Sequence, residues 1–217
     1  MGNALLFNAA LPSNPSSGPQ AYELLFDQIE KVTNLRLCKM DKAIFQSVFL
    51  TKTLRKRQYL LQQGDICNSL AFVIQGALRM FSTNGRGHEA IITFAVEQDW
   101  LADRESMIKQ NASDYNIDAV EDCVLLTITY QALEALRNSN PAFAAFFRCQ
   151  TKAFAIATQQ RIYQALNLNI EDQYYDLLET NPAFGQRFSQ NMLASYLGVQ
   201  PETLSRIRKF IPGKISD

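Results

Sequence analysis

Few side chains in this sequence could do covalent chemistry. Its one histidine, His88, lies in Asn84-Gly85-Arg86-Gly87-His88-Glu89, a run that reads as a hairpin tip, so a Ser-His-Asp relay would have to be built on a solvated turn. The four cysteines, Cys38, Cys67, Cys123 and Cys149, stand 29, 56 and 26 residues apart, whereas zinc and iron–sulfur sites draw ligands from close pairs such as C-x-x-C. No metal framework is expected, and without an export signal the cysteines are expected to be free, mostly buried thiols. A cupin-type barrel metalloenzyme gathers two or more histidines with a glutamate, which a single histidine does not allow. Neither an enzyme nor a bound cofactor is expected.

The chemistry that remains is recognition, and it concentrates near the C-terminus. In the run from Gln190 to Lys209, Ala194 is followed four positions later by Gly198, and apolar Leu204 and Ile207 stand six and nine positions beyond that glycine. These are the slots of a helix-turn-helix: a small residue where helices cross, a glycine for the strained turn, and Leu193, Leu197, Val199, Leu204 and Ile207 to fill the angle. The second helix should begin near Pro201. Leu204, Ile207 and Ile211 then share the buried side, leaving Glu202, Ser205, Arg206 and Lys209 on an entirely polar face. Such a helix fits the DNA major groove, where Arg206 can grip guanine O6 and N7, Glu202 can accept from cytosine N4 and Lys209 can meet phosphate. The DNA contacts are expected to come from Gln200, Glu202, Thr203, Ser205, Arg206, Arg208 and Lys209. Residues 183–217 hold five cations against Glu202 and Asp217, or +3, although the 217-residue chain is neutral with 21 basic and 21 acidic residues.

The segments that must position this module follow from changes of hydrophobic period. Met1 to Gln20, with Pro12, Pro15, Gly18 and Pro19, reads as a loose leader lacking the features of a secretory signal. Residues 22–50 carry helix-spaced apolar residues and suggest two short helices. From Thr51 to about Tyr130 the runs 58–61, 70–74, 77–82, 90–95, 117–120 and 123–129 are of β type, separated by Gly64-Asp65, Gly76, Asn84-Gly85 and Glu121-Asp122, which suggests a small antiparallel barrel or roll. A long helix is expected from Pro141 to about Leu166. Its apolar residues (Phe143, Phe146, Phe147, Phe154, Ile156, Ile162, Leu166) spread too widely for one stripe, which implies one face against the roll and another against a partner. No run is apolar enough to span a bilayer.

A helix pair, a β-roll, a long helix and a helix-turn-helix together resemble the Crp/Fnr family of bacterial transcription regulators. The resemblance rests on Gln63-Gly64-Asp65 and the run from Phe72 to Arg79 in the roll, and on Tyr196 to Lys209 in the DNA module. It implies an α+β fold: an antiparallel, cyclic-nucleotide-binding-domain-like β-roll over 21–138, a dimerisation helix over 139–166, and a helix-turn-helix, with or without a wing, over 167–217, where any wing strands around Gly185 to Phe188 must be short. It also implies a cytoplasmic homodimer that binds double-stranded DNA at an inverted-repeat operator and responds to an unidentified small-molecule effector. The alternative is a sensor acting through protein partners.

In cyclic-nucleotide-binding relatives a Gly-Glu pair holds the ribose and an Arg-Ser pair the phosphate. Here Ala102-Asp103 stands at the first pair and Ser113-Asp114 at the second, so a hydroxyl replaces the guanidinium and a carboxylate stands beside it, which would repel a phosphate. A shift of a residue or two across Met107 to Asn116 would bring Arg104 into the pocket instead. Loss of cyclic-AMP binding is the expectation. Oxygen- and haem-sensing relatives need clustered N-terminal cysteines or axial ligands, which this chain does not supply.

Overall fold

The computed structural model describes residues 19–209. Most of the expected leader, Met1–Gly18, lies outside them. Pro19 and Gln20 instead open α1 (Pro19–Thr33), where a proline's missing N–H and fixed φ suit the first turn. What holds α1 is its packed face, Ala21, Leu25, Phe26 and Ile29, all buried at helical spacing. α2 (Lys39–Val48) is capped reciprocally: Cys38 Sγ accepts from the Asp41 N–H, and the Asp41 carboxylate accepts from the Cys38 N–H. The helical pattern anticipated as far as Leu50 ends at Val48, because Leu50 begins β1 (Leu50–Leu54), paired antiparallel with β8 (Cys123–Thr129).

The six anticipated β runs are strands, with ends moved by a residue or so: β2 (Tyr59–Leu61), β3 (Ser69–Gln75), β4 (Leu78–Thr83), β5 (Glu89–Ala95), β7 (Asn116–Ala119) and β8. With β1 and β6 (Trp100–Leu101) they build two antiparallel sheets, β1-β8-β3-β6 and β2-β7-β4-β5, and β3, buried on both faces, lies at the centre of a core shared with α1, α2, α4 (Tyr130–Ser139) and the start of α5 (Pro141–Asn167). Two strands and a helix were not anticipated. Four of the five β1 residues are exposed, so it shows no alternation, and β6 (Trp100–Leu101) is two residues long. α3 (Arg104–Lys109) is too short for a period to show, and Asp103 caps it. Gly76 turns β3 into β4 with φ +94°, and a Cβ there would lie 2.4 Å from the Asp122 carbonyl oxygen, so only glycine fits.

α5 begins at Pro141 behind Asn140, whose side chain accepts from the Phe143 N–H and donates to Asp41. Its first turns bury Phe143 and Phe146. Residues 151–160 are exposed all round, so the helix divides along its axis, one end in the core and the other clear of it. The thiols also depart from expectation: Cys67 and Cys123 are buried, but Cys38 and Cys149 are exposed, and all four are free. Burial pushes the Cys67 thiol up, and Cys123 to about 11, so neither is a thiolate near neutrality.

α6 (Ile170–Thr180), α7 (Phe184–Arg187), α8 (Gln190–Tyr196) and α9 (Pro201–Lys209) form the C-terminal module. Gly185 to Phe188, where the sequence left room for short wing strands, is a helical turn and its cap, because Phe184 and Phe188 are drawn into a second core against Phe94 of the roll. No wing strand occurs in this module among the described residues. No helix among them is long and apolar enough to cross a membrane.

Candidate nucleic-acid interface and effector pocket

α8 starts at Ser189, whose hydroxyl accepts from the Met192 N–H. It ends at Gly198, in the left-handed region at φ +71°, with the Val199 N–H closing on the Ala194 carbonyl. A Cβ on Gly198 would meet nothing within 4 Å, so the backbone angle, not space, demands glycine. The chain then enters α9 at Pro201, whose carbonyl accepts from Gln190 Nε2 and ties the starts of the two helices together. Leu193, Ala194, Leu204 and Ile207 are buried between them, with Leu197 and Val199 packed at the margin.

The side of α9 away from Leu204 and Ile207 presents Glu202, Arg206 and Lys209, all exposed, with Ser205 half-buried; Thr203 and Arg208 are exposed on its flanks, and Gln200 is exposed just before the helix. Ile211, assigned to the buried face, lies outside the described residues, as do Lys214 and Asp217. Arg187, counted above with the local positive charge, is not available to a nucleic acid. Its guanidinium forks onto Glu97 at 2.6 and 3.0 Å and onto Glu121 at 2.8 and 3.0 Å. Glu121, foremost, and Glu97 hold its proton more firmly than usual. Burial alone would push Glu97 up, but Arg187 and the Gly76 N–H outweigh it and hold that carboxyl below its ordinary value.

This ionic clamp belongs to a broad junction between roll and module. Phe94 stacks on Phe188 with centroids 3.9 Å apart, beside Tyr196. Ser195 Oγ accepts from the Ile91 N–H and donates to the Glu89 carbonyl, covering the free edge of β5 that a sheet would otherwise leave open. Arg161 of α5 donates to the Ile92 and Tyr196 carbonyls and lies over the Tyr196 ring.

The five residues assigned to the effector pocket separate in space. Asp103 and Ser113 come together: both are buried, and Ser113 Oγ donates to Asp103 Oδ2 at 2.7 Å. The other Asp103 oxygen accepts from the Glu105 and Ser106 N–H groups, and Ser113 Oγ accepts from the Tyr115 N–H. The Ser113 backbone is bridged to the Gly64-Asp65 turn by two hydrogen bonds of 2.8 Å. Ala102 is buried beside them and Asp114 is exposed. Arg104, which a shifted alignment would bring inside, instead stacks over Phe154 of α5 at 4.2 Å. Nearby, Arg79 is matched by Asp118 in a two-bond fork and by Glu89. His88 sits in the β4–β5 turn, where its N–H and that of Arg86 donate to the Asn84 side chain. Among the described residues no group of three or more His, Cys, Asp or Glu is arranged to hold a metal.

Residues 51–140 match the family model described as the cyclic nucleotide-binding domain. Among solved structures the chain is similar to the c-di-GMP responsive global regulator CLP of Xanthomonas campestris, with TM-score 0.61 and 16% identity over 77% of this chain and 88% of that one. It is similar to a CooA variant from Carboxydothermus hydrogenoformans, with TM-score 0.63 and 14% identity over 84% and 83%. It is also similar to a protein from Eubacterium rectale described as a transcriptional regulator of the Crp/Fnr family, with TM-score 0.60 and 16% identity over 80% and 83%. Compared by sequence, no curated protein matches. The chain thus has the fold of these structures, and within it residues 51–140 match the cyclic nucleotide-binding domain model.

Proposed function

We propose that this protein is a dimeric, sequence-specific DNA-binding transcription regulator of the Crp/Fnr type, acting in the cytoplasm, whose roll does not bind cyclic AMP. The observation that carries the reading is α9: Leu204 and Ile207 are buried, while Glu202, Arg206 and Lys209 are exposed on the other side. That is the arrangement a major-groove helix needs. Selecting bound sequences from random DNA tests it. A two-fold dimer sets its recognition helices about 34 Å apart, so the selected site should be an inverted repeat with that centre spacing. Arg206→Ala should weaken cognate DNA about 5- to 150-fold per half-site and relax one base position, the consequence of losing a bidentate guanine contact worth about 1 to 3 kcal/mol. Lys209→Ala should weaken cognate and random DNA alike and flatten the salt dependence. Failure to bind any DNA would favour a sensor that acts through protein partners.

Dimerisation is supported by α5. Ala145, Cys149, Lys152, Ile156, Gln159, Tyr163 and Leu166 follow alternating steps of four and three, the spacing of a two-stranded seam, and all but Ala145 are exposed. Ile156, Tyr163 and Leu166 are 57%, 62% and 79% exposed in the single chain, a surface that a monomer would not leave in water. Sedimentation should give a mass near twice 24.6 kDa. In a parallel pair Cys149 faces its own copy, so oxidation with diamide should give a covalent dimer that Cys149→Ser abolishes and Cys38→Ser leaves intact.

Non-binding of cyclic AMP is supported by the Asp103–Ser113 pair, in which each partner already satisfies the other and no guanidinium waits for a phosphate. Calorimetry with millimolar cyclic AMP should show no saturable heat. Micromolar binding would overturn this part of the reading.

A further inference from the structure

On the outside of the roll, α3, α4 and α5 enclose a cavity of about 570 Å³, a size that holds a small organic molecule. Its floor is apolar, with Leu70, Met107, Leu133 and Phe147. Its rim holds Arg104, Arg137, Arg148 and Lys152 against one carboxylate, Glu134. Arg137 is already engaged, paired with Glu134 and lying over the Phe147 ring. Among the described residues Arg104, Arg148 and Lys152 meet no carboxylate, and the Arg104 guanidinium faces only the Phe154 ring. Burial pulls that guanidinium below its ordinary value with no anion to offset the loss of water.

Buried or half-buried cations are ordinarily matched by an anion, so the source of the missing charge can be asked. A second copy paired along α5 does not bring it on that helix, because α5 contains no Asp or Glu in its 27 residues. Pairing would instead set Lys152 against its own copy on the seam, adding like charge. We infer that the cavity between α3, α4 and α5 is a binding site for a small amphipathic anion, its carboxylate, sulfonate or phosphate head held by Arg104, Arg148 and Lys152 and its apolar body on Leu70, Met107, Leu133 and Phe147. Guanidinium groups suit the head because their planar donors bind such oxygens in pairs. Neither Asp103 nor Ser113 lines this site. It deepens the proposed function by supplying the chemical class of the effector: an anion neutralising Lys152 would favour pairing along α5. That consequence rests on the dimeric reading, whereas the binding itself does not.

The test is a fluorescence titration of the full chain with 1-anilinonaphthalene-8-sulfonate, followed by competition with octanoate, octylamine and 1-octanol. One probe should bind per chain, and octanoate should displace it while the amine and the alcohol compete at least tenfold less well. Arg104→Gln combined with Arg148→Gln should weaken both anions at least tenfold, the loss of about 1.4 kcal/mol or more. Ala144→Phe, which fills the cavity from α5, should abolish binding, and thermal unfolding of each variant separates this from loss of fold. Equal competition by octylamine or octanol, or unchanged affinity in the double arginine variant, would overturn the site. Binding that persists in a chain that neither pairs nor binds DNA would uphold the site and defeat the regulatory reading; DNA binding without anion binding would do the reverse.

Discussion

Asp103 and Arg104 are adjacent in the chain and opposite in circumstance. Inside the roll, Asp103 finds Ser113 and two backbone N–H groups and is matched on both oxygens. Outside it, Arg104 finds an aromatic ring and no carboxylate. The inner region has settled its polar groups among themselves, so a nucleotide phosphate arriving there meets a carboxylate already engaged. The outer region has left its charge open. A matched charge is part of the fold and reveals itself as lost stability when cut, whereas an unmatched one contributes little to folding and reveals itself in binding. Arg187, held between Glu97 and Glu121 where the module meets the roll, belongs with the matched group.

The largest effect should follow from cutting that clamp. Arg187→Leu leaves Glu97 and Glu121 facing each other without a cation, and it should cost about 3 kcal/mol, the low end for breaking a buried pair because Glu121 keeps about a third of its exposure. Urea unfolding measures the loss, and protease cleavage between α5 and α8 should rise as the module loosens; a change below about 0.5 kcal/mol would mean that Arg187 is not a matched charge. Acid should do part of the same. Glu97 is held below its ordinary 4.5 in the folded chain, so the stability it supplies is complete above that value and is lost as pH falls below about 4.5 toward the folded value. This limb should flatten in Arg187→Leu.

Next in size is Asp103→Ala, which removes the cap of α3 and the acceptor of the buried Ser113 hydroxyl, for a loss of about 2 kcal/mol. Asp103→Asn keeps the cap through its amide oxygen and turns an N–H toward Ser113 Oγ, whose hydroxyl can donate to the Tyr115 carbonyl instead, and should recover more than half of it. Ser113→Ala takes away a hydrogen bond to a charged group that keeps its others, together with the acceptor of the Tyr115 N–H, and should lower stability by about 1 kcal/mol. Smallest is Arg104→Gln, expected to shift stability by less than about 0.5 kcal/mol in either direction. A loss as large as that of Asp103→Ala would mean that Arg104 is a matched charge after all.

The helix-turn-helix was legible because its requirements are short-range. A glycine at φ +71°, a small residue at the crossing, and Leu204 and Ile207 three positions apart are conditions that a twenty-residue stretch meets by itself. The β runs were legible where burial alternates or runs unbroken, as in β3 and β8. They were not where pairing alone makes the strand, as in β1, exposed at four of five positions. Whether Gly185 to Phe188 holds wing strands was not legible, because it is Phe94, some ninety positions earlier, that draws Phe184 and Phe188 into a helical turn.

By itself, then, the sequence determined the order of the helical and β segments and the polar face of α9, both matters of residue type and local spacing. Only the tertiary structure decided which charges are free. Arg187 and Arg206 are alike in the sequence, yet one is closed on carboxylates 90 and 66 residues away and the other is exposed on α9. Arg104 gives no sign of whether it turns inward to a phosphate or outward to α5. Pairing between distant segments is fixed by how the sheets and helices pack, because a charge is neutralised by whatever the fold brings within a few ångströms of it, and the spacing of residues along the chain carries no measure of that distance.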